Sequence, residues 1–118
     1  MTTAHVAARI FGYGSDHDAG VLRVDDSGRI IEVTDRPAAG DQRVEHPNGA
    51  LLPGGVNVHN HSFQALLRGL GDDLPFLEWR ARGLYRFGAQ LGPNEIYLGA
   101  SLAFAEMLRS GTTTVTDF

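Results

Sequence analysis

The sequence contains no cysteine, which excludes disulfide bonds and thiolate metal sites. It also lacks clustered positive charge: its 10 basic residues, all of them Arg, are scattered, and the formal net charge is −4. Nucleic-acid surfaces need clustered basic side chains, so we expect no nucleic-acid partner. No apolar run approaches the roughly 18 residues of a membrane span, and the N-terminus has no signal-peptide pattern. These absences favour a cytoplasmic protein without a membrane partner.

The composition is otherwise that of a globular protein, with 42% hydrophobic residues in a chain of 118. Before residue 50, short β-type segments alternate with turns, and we expect antiparallel pairing there. The strands are predicted at residues 5–11, 20–24 and 29–34. A turn is predicted at Asp25–Gly28, a loop at 35–42 and a further turn at Pro47–Gly49.

After residue 50 the pattern changes to alternating strands and helices. The clearest helix is Pro93–Ser110, because Pro93 suits the first helical position, Glu95 the first turn and Gly111 the end of the helix. The other predicted elements are a strand at 56–61, a short helix or irregular segment at 62–70, a helix at 75–87 and a strand at 112–118. The strand, helix, strand order predicts a parallel sheet with a right-handed crossover.

His59 and His61 form the pattern that most suggests chemistry. Residues two apart on a strand share a face, so two imidazoles there can converge on one cation at about 2.1 Å each. The spacing alone is weak evidence, because most such pairs are two polar residues at a strand end. The context strengthens it, since the pair closes an apolar strand where a barrel would have its active-site mouth.

Two segments carry a resemblance to a known family. Leu52–His61, LPGGVNVHNH, resembles the first barrel strand of the amidohydrolase superfamily. Glu106–Val115, EMLRSGTTTV, is similar to the first barrel helix of that family as it runs into the second strand. The strands before residue 50 are similar to the small β-sandwich that those enzymes carry beside the barrel. The resemblance therefore covers nearly the whole chain.

Asn57 refines this resemblance, because Asn two residues before the first His is common in one deaminase branch. That branch includes cytosine, guanine, 8-oxoguanine and S-adenosylhomocysteine deaminases and formiminoglutamate deiminase. The segments 62–69 and 72–79 are also similar to those that follow the motif there. Gly55 departs from the family, which usually has a bulky apolar residue at this position, and this puts local packing in doubt rather than ligation.

The resemblance implies an α/β fold, the N-terminal part of a (β/α)₈ metal-dependent hydrolase barrel preceded by strands of a small β-sandwich. We expect residues 1–50 to belong to the β-sandwich domain and residues 51–118 to supply the first strand, helix and second strand of the barrel. Both domains would be incomplete, since a whole barrel needs roughly 200 residues or more.

The implied function is hydrolysis of a non-peptide carbon–nitrogen bond, most simply deamination of a small heterocyclic or amidine substrate. His59 and His61 are the predicted ligands of a divalent metal; zinc suits neutral imidazole best, and iron fits the same ligands. The family's further ligands and its acid/base residue come from later strands, so this chain alone should be inactive. The complete enzyme could form a homo-oligomer.

Gln64 and Trp79 are the predicted substrate-binding residues. In related deaminases a Gln three residues past the second His can reach the substrate, and an aromatic face stacks on a flat ring. Each has an alternative: Gln64 as a solvent-facing amide at a helix start, and Trp79 as a core residue beside Phe76 and Leu77.

Other polar residues have structural interpretations. We expect Arg68 to cap a turn or pair with Asp72 or Asp73, although it could bind a substrate carboxylate or carbonyl. Glu106 should pair with Arg109 on the helix surface. Asp117 could line the mouth or be structural. The remaining histidines are expected at the surface, namely His5, His17 and His46.

An alternative function belongs to a different class: a small non-catalytic β-rich binding protein, or a degraded relative, with an incidental His pair. A continuing barrel with more His and Asp at strand ends would favour the enzyme.

Overall fold

The computed structural model of the protein describes residues 1–12 and 17–118, and for residues 17–19 the backbone alone. The described residues form two compact units, Met1–Pro53 and Gly54–Phe118.

The first unit is a four-stranded sheet in the order β3-β2-β1-β4. Its strands are β1 (Thr3–Ile10), β2 (His17–Val24), β3 (Ile30–Thr34) and β4 (Gln42–Leu51). The antiparallel pairing expected here is correct for β1 with β2 and for β2 with β3. The strand β4 was not predicted from the sequence, and it runs parallel to β1, against the antiparallel pairing expected before residue 50.

The predicted turn at Pro47–Gly49 is also wrong, because β4 continues through it. Ala7 of β1 lies opposite His46, and Arg9 lies opposite Ala50. Residues 47–49 therefore face Ala8 alone, as an irregular bulge. A bulge absorbs extra residues without ending a strand, which is why residues with strong turn preferences are tolerated here.

The core of this unit is small. Ala4, Ala7, Ile10 and Val21 are buried, and among the described side chains of this unit Ile10 and Val21 are the largest that are fully buried. The predicted turn between β2 and β3 is present, and Asp25 Oδ1 accepts hydrogen bonds from the backbone N–H groups of Ser27 and Arg29 at 3.0 and 2.9 Å.

Arg23 of β2 forms ion pairs that connect the sheet to the segment before β4. Its guanidinium donates to both carboxylate oxygens of Asp41, at 2.9 and 3.1 Å, and also pairs with Glu32. The Asp41 side chain is only 4% exposed and accepts a further bond from the Ala38 N–H at 2.8 Å. The Arg23 guanidinium, with a smaller contribution from that N–H, holds the pKa of Asp41 below its ordinary value.

This ion pair predicts a pH dependence of stability in the first unit. Because the folded pKa of Asp41 lies below the unfolded value of about 3.9, its contribution is fully present above that value. The contribution is lost as the pH falls through the folded pKa. In Asp41→Asn, the β2 and β4 amides should exchange hydrogen faster than wild type at pH 7, with a smaller difference at low pH. Exposed Asp35→Asn is the matched control, and equal exchange in Asp41→Asn and wild type at pH 7 would contradict the prediction.

The second unit pairs two parallel strands, β5 (Gly55–Asn60) and β6 (Thr112–Asp117), as predicted. Between them lie a 3₁₀ helix (Ser62–Leu67), α1 (Phe76–Trp79), a π-helical turn (Arg80–Tyr85), α2 (Arg86–Gly88) and α3 (Pro93–Arg109). The helix predicted at 75–87 is thus one helical run with a π-helical middle. No helix in the described ranges has the length and apolar character to cross a membrane.

The ends of α3 follow the predicted signals. Pro93 occupies the first helical turn, and the Glu95 carboxylate accepts a hydrogen bond from the Gly92 N–H at 2.9 Å. Gly111 follows the helix with φ +85°, a conformation that glycine adopts without steric cost.

Gly99 and Ala103 are the buried residues of α3, which packs against the 3₁₀ helix. A Cβ at Gly99 would lie 2.8 Å from the backbone oxygen of Phe63 and 3.0 Å from its Cα. Both are backbone atoms, so this close approach requires glycine.

Gly99→Ala should therefore destabilise the second unit, although alanine is the better helix former by up to about 1 kcal/mol. Overpacking should lower the free energy of unfolding by about 1–3 kcal/mol, measured by urea denaturation with Trp79 fluorescence. Ser101→Ala, at an exposed position of the same helix, is the matched control and should be neutral or slightly stabilising. A stabilised Gly99→Ala variant would contradict the packing described.

Candidate metal and substrate site

His59 and His61 lie at the carboxyl end of β5, with His59 inside the strand and His61 just after it. Their ring centroids are 5.1 Å apart and the rings are nearly perpendicular, at 89°. The Phe118 ring contacts both, with centroid distances of 5.6 and 5.8 Å. The structure therefore brings the two imidazoles together, as their spacing predicts.

A bulge in β5 lies at Val58 and His59. Asn57 lies opposite Val115 and Asn60 lies opposite Asp117, so Val58 and His59 together face the single residue between those partners. The Asn57 side-chain oxygen accepts a hydrogen bond from the His59 N–H at 3.1 Å. Bulges of this kind redirect side chains beside active sites. The Asn57 side chain thus accepts a hydrogen bond from the His59 N–H at the bulge, where the pairing of β5 with β6 is irregular.

The spacing of the rings fits two ligands of one metal. An imidazole bonded at about 2.1 Å has its centre roughly 3.2 Å from the ion, so two rings at a tetrahedral angle lie about 5 Å apart. The observed 5.1 Å matches this value. His61 Nδ1 is 3.4 Å from the Phe118 carbonyl oxygen, and because a carbonyl can only accept, a hydrogen bond here requires the proton on Nδ1 and leaves the Nε2 lone pair free.

These two imidazoles do not complete a metal site by themselves. Across the described side chains, residues 1–12 and 20–118, no three or more His, Cys, Asp or Glu residues are grouped to hold a metal ion. Zinc sites usually have three or four protein ligands. The described residues thus fit half of such a site.

One cavity of about 490 Å³ is lined by all four sequence-predicted site residues: His59, His61, Gln64 and Trp79. Its volume lies in the range of ligand pockets, roughly 300–1,000 Å³. Gln64 is half-buried on the 3₁₀ helix. Trp79 is half-buried too, and its ring stacks on Phe76 with the centroids 5.8 Å apart.

The same cavity is lined by residues that sequence analysis did not single out, among them Arg80 and Tyr85. The Arg80 guanidinium carbon lies 5.2 Å from the centre of the Tyr85 ring, a cation–π contact. The two residues are five apart, and the π-helical turn brings such residues to one face. In a regular α-helix, residues five apart lie on different faces, so the sequence pattern gave no indication that Arg80 and Tyr85 would meet.

Asp117 connects the ends of the two parallel strands. Its Oδ1 accepts hydrogen bonds from the Asn60 side-chain nitrogen at 2.7 Å and from the Ser62 backbone N–H at 2.8 Å. Its Oδ2 accepts one from the Ser62 hydroxyl at 2.6 Å. The Ser62 hydroxyl is the main reason that the pKa of Asp117 lies below its ordinary value. Of the two roles considered for Asp117, these contacts favour the structural one.

The expected partners of Arg68 and Glu106 were wrong, because these two residues pair with each other. The guanidinium donates to both carboxylate oxygens, at 3.0 and 2.6 Å, which lowers the pKa of Glu106. The 3₁₀ helix packs against α3, which places Glu106 within reach of Arg68. One ion pair between residues distant in sequence thus replaces the local pairs that were expected, namely Arg68 with Asp72 or Asp73 and Glu106 with Arg109.

His5 and His46, which we expected at the surface, are partly covered by each other. Both are half-buried, with His5 Nδ1 3.3 Å from His46 Nε2 and the rings stacked 5.6 Å apart. The parallel pairing of β1 with β4, which sequence analysis missed, brings them together. The side chain of His17 lies outside the described residues.

Comparison with known proteins identifies the family. Residues 50–118 match the amidohydrolase family, so the chain belongs to it. A 5-methylthioadenosine/S-adenosylhomocysteine deaminase of Thermococcus kodakarensis is 40% identical over 109 residues, which cover 89% of this chain and 25% of that protein. A 5'-deoxyadenosine deaminase of Methanosarcina mazei is 36% identical over 107 residues, covering 86% of this chain and 25% of that protein. The chain thus spans about a quarter of these relatives.

Solved structures show the same fold. Guanine deaminase from C. acetobutylicum superposes with a TM-score of 0.80 at 19% identity, covering 98% of this chain and 29% of that one. An amidohydrolase from Brucella melitensis superposes with a TM-score of 0.78 at 24% identity, covering 98% and 26%. These findings confirm the predicted fold class, the N-terminal part of a (β/α)₈ amidohydrolase. Family membership also removes the alternative of an unrelated β-rich binding protein.

Proposed function

We propose that the complete protein is a metal-dependent deaminase, which hydrolyses a non-peptide carbon–nitrogen bond of a small heterocyclic or amidine substrate. The main support for this proposal is that His59 and His61 lie close together and line one cavity with Gln64 and Trp79. The relatives named as deaminases support the reaction class.

His59 and His61 would hold two positions of a divalent metal, with zinc favoured and iron suited to the same ligands. When bound, such an ion lowers the pKa of a coordinated water so that hydroxide is available near neutral pH. A proton on His61 Nδ1, donated to the Phe118 carbonyl, would leave Nε2 free to bind the ion. The 118 residues alone should be inactive, since two ligands fall short of the usual three or four.

The remaining cavity residues suit a flat, polar ring. Trp79 and Phe76 supply aromatic surface for stacking. The Gln64 amide can donate and accept, so it can pair with a ring nitrogen and an adjacent N–H or carbonyl group. The same proposal includes a small-molecule substrate and a cytoplasmic location. It also includes a homo-oligomeric complete enzyme that has no nucleic-acid partner.

The proposal predicts that His61→Ala and His59→Ala in the complete protein lose metal and deaminase activity together. Metal content per chain, measured by mass spectrometry, and ammonia release should both fall to background. His5→Ala removes an imidazole outside the cavity and should keep both. A His61→Ala protein with wild-type metal content and rate would refute the proposed function, and a metal-free wild type would point to a degraded relative.

Substitution of Trp79 separates stacking from core packing. Trp79→Leu keeps apolar volume but removes the aromatic face, so KM should rise by about twofold to tenfold, since such stacking is worth about 0.5–1.5 kcal/mol. Trp79→Phe should largely restore KM. Tyr97→Leu, at an exposed position of α3, is the matched control. A loss of stability with unchanged KM would show that Trp79 is a core residue only.

A further inference from the structure

We infer that Asp117 is a positioning residue for His61: its carboxylate fixes the residues on both sides of His61 and so holds that imidazole in its metal-binding direction. The inference rests on the proposed metal site.

His61 needs such support because the strand ladder ends before it. β5 stops at Asn60, and His61 has φ −131° and ψ 82°, where the chain leaves the strand and enters the 3₁₀ helix. Direction changes of this kind leave an imidazole free to point elsewhere unless its neighbours are fixed. Asp117 provides this fixation, since its carboxylate accepts three hydrogen bonds from Asn60 and Ser62, which flank His61.

A carboxylate suits this role better than a neutral side chain. Ser62 is 5% exposed, and its hydroxyl and backbone N–H both donate to Asp117, one to each oxygen. Only a carboxylate offers two acceptor oxygens in a fixed plane. An amide would replace one acceptor with a donor, and an apolar side chain would leave the buried hydroxyl without this partner.

Phe118, the residue after Asp117, also contacts His61 and its neighbour Asn60. The Phe118 N–H donates to the Asn60 carbonyl at 3.0 Å, and the Phe118 carbonyl oxygen faces His61 Nδ1 at 3.4 Å. Asp117 and Phe118 together therefore contact His61 and both its neighbours. The end of β6 therefore positions the imidazole of His61.

The test measures metal binding in the complete protein with cobalt(II) as the probe, in place of zinc. Asp117→Ala should weaken cobalt affinity about tenfold or more, the size of effect typical of residues that orient a ligand, and should change the visible cobalt spectrum. Asp117→Asn should fall between it and wild type. Asp73→Asn removes a carboxylate at an exposed turn of the same unit and should leave both readouts unchanged.

A destabilised control distinguishes positioning from general support of the fold. Leu67→Ala removes buried apolar volume from the 3₁₀ helix without touching Asp117. If Leu67→Ala weakens cobalt binding and changes the spectrum as much as Asp117→Ala at an equal loss of thermal stability, the inference is overturned. It is supported if Leu67→Ala keeps the wild-type spectrum.

Ser62→Ala covers the case in which Asp117→Ala does not fold. It removes only the hydroxyl bond to Asp117, so it should give a smaller change of affinity and spectrum in the same direction. Wild-type cobalt binding in both Ser62→Ala and Asp117→Asn would overturn the inference and leave the proposed function standing. A wild-type protein that binds no cobalt would overturn both.

Discussion

The parallel pairing of β5 with β6 is the constraint on which the candidate site depends. The pairing begins where the Gly55 N–H donates to the Gly111 carbonyl at 2.8 Å, and it ends where the Phe118 N–H meets the Asn60 carbonyl. Because parallel strands end at the same edge of a sheet, the two histidines and Asp117 are brought to one place from positions nearly 60 residues apart in the chain. Gly54 permits the close approach, since a Cβ there would overlap the Thr113 side chain.

Local rules account for the parts of the fold that sequence analysis predicted correctly. The ends of α3 and the turn at Asp25 depend on residues within a few positions of each other, and the spacing of the histidines is a property of one strand. Partners distant in sequence could not be predicted this way. The parallel β1–β4 pair, the Arg68–Glu106 bridge and the Asp117 contacts all join segments whose approach depends on the fold. The π-helical turn has no periodic pattern that would have identified it.

Apolar residues on β5 and α3 show a different limit. Val56, Val58 and Leu108 fit a buried strand and a packed helix in sequence, yet they are 65%, 70% and 68% exposed. Their pattern matches the burial expected within a whole barrel, and this chain spans about a quarter of its relatives. The isolated unit therefore has a hydrophobic surface that its own residues do not cover.

The bulge in β4 has a consequence for the outer edge of the first sheet. Among the described residues, β4 lies at one end of the strand order, and an unpaired backbone edge at such a position can recruit another strand. Regular pairing along β4 is interrupted at residues 47–49, and Pro47 has no N–H to offer. A strand added from outside would find a regular run of only residues 42–46 before the interruption. The same residues that were mistaken for a turn thus make this edge a poor template for aggregation.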